Sequence, residues 1–99
     1  MRGATNNSTA LHLAMLIGSN DSGRVLVRKG ADINASNNEG ETPLMIAALK
    51  GYPDNVKLLL DAGASLTARD KRGETPLMHA TERNHSEVIE MLKNAGAKE

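Results

Sequence analysis

The sequence predicts an all-α solenoid: three helix-turn-helix units stacked side by side and joined by β-hairpin-like loops. Three observations carry this. The chain repeats itself. Thr9-Ala10-Leu11-His12 returns as Thr42-Pro43-Leu44-Met45 and again as Thr75-Pro76-Leu77-Met78, Leu26 returns as Leu59 and Leu92, and Gly30-Ala31 returns as Gly63-Ala64 and Gly96-Ala97, every step being 33 residues. Shifting the whole chain by this period gives identity at roughly one position in three, against about one in fifteen by chance. Each unit also carries two sets of helix start and stop signals. Finally, the 99 residues hold one Tyr and neither Phe nor Trp. The core must therefore come from Leu, Ile, Val, Met and Ala, which suits closely approaching helices.

The first helix of each unit follows Thr9, Thr42 or Thr75, residues suited to the N-cap because their hydroxyl accepts a free N–H of the first turn. Pro43 and Pro76 come next, where a missing N–H is harmless. Apolar runs follow: Leu11, Leu13, Ala14 and Leu16; Leu44, Ile46, Ala47 and Ala48; Leu77 and Ala80. Gly18, Gly51 and Asn84 stop these helices in the left-handed conformation. The second helix of the middle unit is expected from about Pro53 to Ala62, with Val56, Leu59 and Leu60 on one side. That of the last unit is expected from about Ser86 to Ala95, with Val88, Ile89, Met91 and Leu92 apolar. Gly30, Gly63 and Gly96 end the second helices. The polar stretches Asp32 to Glu41 and Ser65 to Glu74 form the loops, with Gly40 and Gly73 at tight turns.

Two short antiparallel helices cannot bury their own apolar face, but a stack of such units can. Small residues such as Ala14, Ala47, Ala48 and Ala80 let the helices come close. The chain is accordingly expected to be one domain, 1–99, with units of about 5–36, 37–69 and 70–99.

The residues resemble the ankyrin repeat, a 33-residue unit whose first helix opens on Gly-x-Thr-Pro-Leu-His and whose second closes on Leu-Leu-x-x-Gly-Ala-Asp-x-Asn. Here stand Gly40-Glu41-Thr42-Pro43-Leu44-Met45, Gly73-Glu74-Thr75-Pro76-Leu77-Met78, Gly30-Ala31-Asp32-Ile33-Asn34 and Leu59-Leu60-Asp61-Ala62-Gly63-Ala64. The resemblance covers roughly residues 5 to 97. It implies an ankyrin-repeat α-solenoid that binds a protein partner. It also implies that His12, in the Thr-x-Leu-His slot, hydrogen-bonds the adjacent unit, with Met45 and Met78 leaving that network incomplete. Asn34 would hydrogen-bond the hairpin backbone; in some family members this Asn is hydroxylated.

Departures from the pattern carry expectations too. Ser22 and Gly23 stand where the middle unit has Asn55-Val56 and the last has Val88-Ile89. A helical Gly costs about 1 kcal/mol against Ala, so the second helix of the first unit is expected to be the weakest, and Gly23→Val to raise the melting temperature. Where the middle unit has Ile46, Ala48, Leu49 and Leu60, the last has His79, Thr81, Glu82 and Lys93. These are expected to face outward as a polar C-terminal cap, or to reflect drift in a piece of a longer array.

Composition and motifs exclude most chemistry. Without cysteine there is no disulfide, thiolate metal site or cysteine nucleophile. Lys+Arg and Asp+Glu are 12 each, so no net field draws the chain to nucleic acid or an anionic membrane. The longest wholly apolar run, Leu13 to Ile17, is far below the roughly 20 residues of a membrane span. No secretion signal is visible, which makes the cytosol the default location. His79, Glu82 and His85 are spaced like a metal face, but Asn84 should break the helix and make them diverge. His85 is then expected to make an inter-helix contact and His79 to serve the cap. No serine triad or phosphate loop stands out. The cluster Arg69, Lys71, Arg72 and Arg83 is interleaved with Asp70, Glu74 and Glu82 and lacks a stacking aromatic, which disfavours nucleic acid.

The expectation is a monomeric, non-enzymatic binding module without cofactor or metal, whose partner is a protein. A structural or designed minimal array, or a fragment of a larger multidomain protein, is the alternative. The resemblance places the partner on the concave face formed by hairpin tips and first helices. On this chain the tips are Thr5, Asn6 and Ser8; Asn38, Glu39 and Glu41; and Lys71, Arg72 and Glu74. The helix positions are Leu16, Ile17, Leu49, Lys50, Glu82 and Arg83. Leu16, Ile17 and Leu49 would form an exposed apolar patch, the kind that marks binding sites, unless one of them tucks into a helix interface.

Overall fold

The computed structural model describes residues 8–97, which form six helices and no strand. They are α1 Ala10–Ile17, α2 Asn20–Arg28, α3 Pro43–Lys50, α4 Pro53–Asp61, α5 Pro76–Glu82 and α6 Ser86–Asn94. The N-caps of α1, α3 and α5 are the three repeated threonines. Each hydroxyl accepts the N–H three residues on, His12, Met45 or Met78, at 3.3 Å. A cap of this kind is worth about 1 kcal/mol. These helices end on left-handed Gly18, Gly51 and Asn84, as expected. The second helices α4 and α6 stop one residue short of their expected ends.

Helices α1, α3 and α5 pack side by side as an inner layer, and α2, α4 and α6 as an outer one. Each inner helix also packs on the outer helix of its own unit. The core lies between the layers: Leu11, Ala14 and Met15; Leu44, Ala47, Ala48, Val56 and Leu59; Leu77, Ala80, Val88 and Leu92. It is aliphatic throughout. Burying each Leu contributes about 2 kcal/mol, and the alanines set how closely α1, α3 and α5 approach.

The units are also joined ring to glycine. Tyr52 precedes α4 and His85 precedes α6, one period apart. A Cβ on Gly18 would meet the Tyr52 ring at 2.9 Å, and a Cβ on Gly51 would collide with the His85 imidazole. Both glycines have positive φ, 76° and 75°, so conformation and close approach demand Gly together. His85 also donates Nε2–H to the Leu49 carbonyl at 2.9 Å, satisfying an orphan acceptor at the end of α3. This is the inter-helix contact expected of it.

Two expectations change. Gly23 is buried, but it does not face an empty space awaiting a side chain. A Cβ there would lie 2.9 Å from Met15 Cε and 3.0 Å from Leu58 Cδ2; the flexible ends of those residues fill the volume. Gly23 is the only residue of α2 that is fully buried, whereas α4 buries Asn55, Val56 and Leu59. His79 is the second correction. Thr81, Glu82 and Lys93 are exposed as a polar outer face should be, but His79 is 1% exposed. Its position is that of Leu13 and Ile46, on the side of the helix turned toward the preceding unit, not the following one.

Candidate protein-binding face

The hairpin tips are built by two buried side chains. Asn37 Oδ1 accepts the N–H groups of Glu39 and Glu41 at 2.9 and 3.0 Å. One period later, Asp70 Oδ1 accepts those of Arg72 and Glu74, both at 2.9 Å. Each tip closes on a glycine whose N–H reaches back to the Asn37 or Asp70 carbonyl. The tips are linked in turn: Lys71 N–H donates to the Glu39 carbonyl at 3.0 Å. The loops thus form a continuous ladder of hairpin-like turns without an assigned strand.

His12 ties the first unit to the second tip. Its Nε2–H donates to the Glu41 carbonyl at 2.7 Å, and Nδ1 accepts from Thr9 N–H at 3.0 Å and from the Thr9 hydroxyl at 2.8 Å. This is the inter-unit bond the Thr-x-Leu-His slot implied. In the middle unit a sulfur stands in, with Thr42 N–H donating to Met45 Sδ at 3.4 Å. Asn34 bridges units as well, its Oδ1 accepting Ser65 N–H at 2.8 Å.

In the last unit the polar contact is different. His79 Nε2 lies 2.9 Å from Asp70 Oδ2 and 3.7 Å from Glu74 Oε1. Burial pushes the Asp70 carboxyl up, but the Glu74 N–H, His79 and the Arg72 N–H outweigh it and hold it below the ordinary aspartate value. Asp70, Glu74 and His79 bring three ligand-type atoms within 4.8 Å of one another. However, Asp70 and His79 already bond each other, and the Arg72 guanidinium stands 3.5 Å from Glu74 Oε1. The trio is a polar latch between tip and helix. Glu82, exposed on the outer end, takes no part, and His85 points to α3.

Between the second tip and helices α1 and α3 lies a groove of about 260 Å³, lined by Ser8, His12, Leu13, Leu16, Asn37, Glu41, Ile46, Leu49 and Lys50. Five of the expected site residues meet here: Ser8, Leu16, Glu41, Leu49 and Lys50. Asn37 Nδ2 donates to Ser8 Oγ at 3.3 Å and to Glu41 Oε1 at 3.0 Å, so the polar rim is preorganised. Leu16 is 45% exposed and Leu49 half-buried.

The other expected residues are distributed elsewhere. Ile17 stands apart from that groove: at 72% exposure it is the most exposed large apolar side chain described, and it lines a different groove on the outer end of the first unit. Glu74 and Glu82 line a depression at the opposite end with Leu77, Met78 and Thr81. Asn38, Glu39, Lys71, Arg72 and Arg83 are exposed. Thr5 and Asn6 lie outside the described residues. Sequence reasoning missed Leu13, which borders both apolar grooves, and the tip builders Asn37 and Asp70. Their signal was present: an Asn or Asp three residues before a turn glycine can accept backbone N–H groups.

Comparison with known proteins agrees with the repeat. A family model described as ankyrin repeats (many copies) matches residues 26–80, and one described as ankyrin repeat matches residues 6–38 and 72–98. No curated protein matches the chain.

Proposed function

The chain belongs to the ankyrin repeat family, and from that premise we propose that it binds a protein partner on its concave face, in the groove between the second hairpin tip and helices α1 and α3. Ankyrin repeats are in general protein-interaction modules without catalytic activity. The observation that carries the assignment here is the groove's construction. Leu13, Leu16, Ile46 and Leu49 form an apolar floor, while Ser8, Asn37, Glu41 and Lys50 form a rim. An apolar centre inside a polar rim is the anatomy of a binding hot spot. The partner supplies one aliphatic or aromatic side chain to the floor, flanked by groups that pair with Lys50 and with the tip at Asn38 and Glu39.

The test starts from recovering a partner with the intact chain and measuring its affinity by calorimetry. Leu16→Asp should weaken binding at least tenfold while leaving the helical circular dichroism intact, because Leu16 is half-exposed. Lys57→Glu, on the exposed side of α4, should leave affinity unchanged. An affinity that Leu16→Asp does not alter removes the groove from the interface.

A further inference from the structure

We propose that the outer end of the first unit is a dimerisation face, which pairs with the same face of a second copy about a two-fold axis. On this end Ala10, Leu13 and Ile17 line one side of α1, and Asp21 and Val25 one side of α2, around a groove of about 520 Å³. Leu13 is 52%, Ile17 72% and Val25 42% exposed. In the next unit the Leu13 position is Ile46, 8% exposed, and the Val25 position is Leu58, half-buried where Val25 is exposed, because the preceding unit packs against them. The first unit therefore keeps the apolar residues of a covered face with nothing over it among the described residues.

The occupant follows from charge and size. The opposite end of a second copy is disfavoured, since it presents Thr81, Glu82 and Lys93; pairing of like ends is left. The chain has zero net charge, so two copies do not repel. A two-fold axis lying in the interface and crossing the helices sets α1 against α1 and α2 against α2, both antiparallel. On α2, Asp21, Val25 and Arg28 share one face at i, i+4 and i+7. The antiparallel arrangement then places each Asp21 opposite Arg28 of the second copy, with the two Val25 side chains at the axis. Both charges are exposed, and neither has an ion-pair partner among the described residues. On α1 the same operation sets Ile17 over Ala10 of the second copy, large against small. Such a patch covers a few hundred Å², so two of them bury on the order of 800 Å² in total. That is below the usual range of stable specific interfaces, so the pairing is that of a weak, transient dimer. Under this proposal the chain pairs at high concentration, where the sequence suggested a monomer.

Sedimentation equilibrium of the intact chain from about 10 µM to 1 mM tests the pairing. The expected result is a reversible monomer–dimer equilibrium that stops at two copies. Ile17→Glu should make the chain monomeric with its helical signal unchanged. Asp21→Arg should weaken the dimer at least tenfold, and Asp21→Arg with Arg28→Asp should restore it. Mass is the readout, because the swap also opposes the helix dipole and lowers melting slightly. A chain that stays monomeric to 1 mM overturns the proposal, whether the face then seats another unit fused ahead of it or stays bare. A dimer that survives Ile17→Glu, or that the double charge swap fails to restore, overturns it as well.

Discussion

The two ends of the stack occupy equivalent backbone and treat water in opposite ways. The first unit turns Leu13, Ile17 and Val25 outward, whereas the last turns out Thr81, Glu82 and Lys93. Among the described residues no extra helix or strand distinguishes them. A handful of side chains decides whether a repeat ends in a wet surface or in one that still asks for a neighbour. The same asymmetry runs inside the units: α6 buries Val88 and Leu92 fully, while α2 buries only Gly23. The last unit is therefore expected to be the better consolidated end, and the first the one to fray.

The largest blow to that comparison is at the junctions. Gly51→Ala forces a left-handed Ala against the His85 ring and should cost about 3 kcal/mol, detaching the last unit. Gly18→Ala meets only the Tyr52 ring edge and should cost about 2 kcal/mol. Urea titrations of the two variants rank the junctions, and a larger loss at Gly18 would reverse the proposed order of the ends. Next come the equivalent core leucines. Leu92→Ala, at a fully buried site, should cost about 3 kcal/mol, and Leu26→Ala, partly exposed, about 1 kcal/mol. Equal costs would show that α2 is as well packed as α6.

A smaller effect separates the tips. Asp70 is held below its ordinary value of 3.8 when folded, so its contribution is present above that pH and lost as pH falls through the lower folded value. Asp70→Asn copies the middle unit's Asn37, keeps an acceptor for the tip N–H groups and loses the charge facing His79. It should cost about 1 kcal/mol at pH 7 and flatten the decline of the melting temperature below pH 4. An unflattened decline would assign that acid sensitivity to other carboxylates. The smallest effect is at Gly23. Ala should add about 0.5 kcal/mol by helix propensity, since only flexible side-chain ends must yield, while Val should overpack against Met15 and Leu58 and lower the melting temperature. This reverses the expectation drawn from the sequence, and calorimetry of the pair decides it.

What was legible in the sequence was whatever the period and local chemistry determine alone: the threonine caps, the Gly and Asn stops and the order of six helices; the inter-unit bond of His12 came from the resemblance to the ankyrin repeat. Direction around a helix was harder. Ile17 and Leu16 are adjacent, yet one faces the end and the other the groove, and the choice depends on where the neighbouring unit sits. His79 was misplaced for the same reason: polarity suggested an outer face, but its helix position turns it inward, where Asp70 supplies the partner that makes burial tolerable. Gly23→Val looked stabilising because a 33-residue alignment compares equivalent positions and does not show side chains arriving from Met15 and Leu58.

Tyr52 lies over Gly18 at the junction of the first and middle units, and it is the sole aromatic residue in the chain. The chain's near-ultraviolet absorbance and its fluorescence therefore come from that junction alone, whereas far-ultraviolet dichroism sums all six helices. Monitored together during heating, the two signals time the parting of the first unit against the loss of the whole, without any label being introduced.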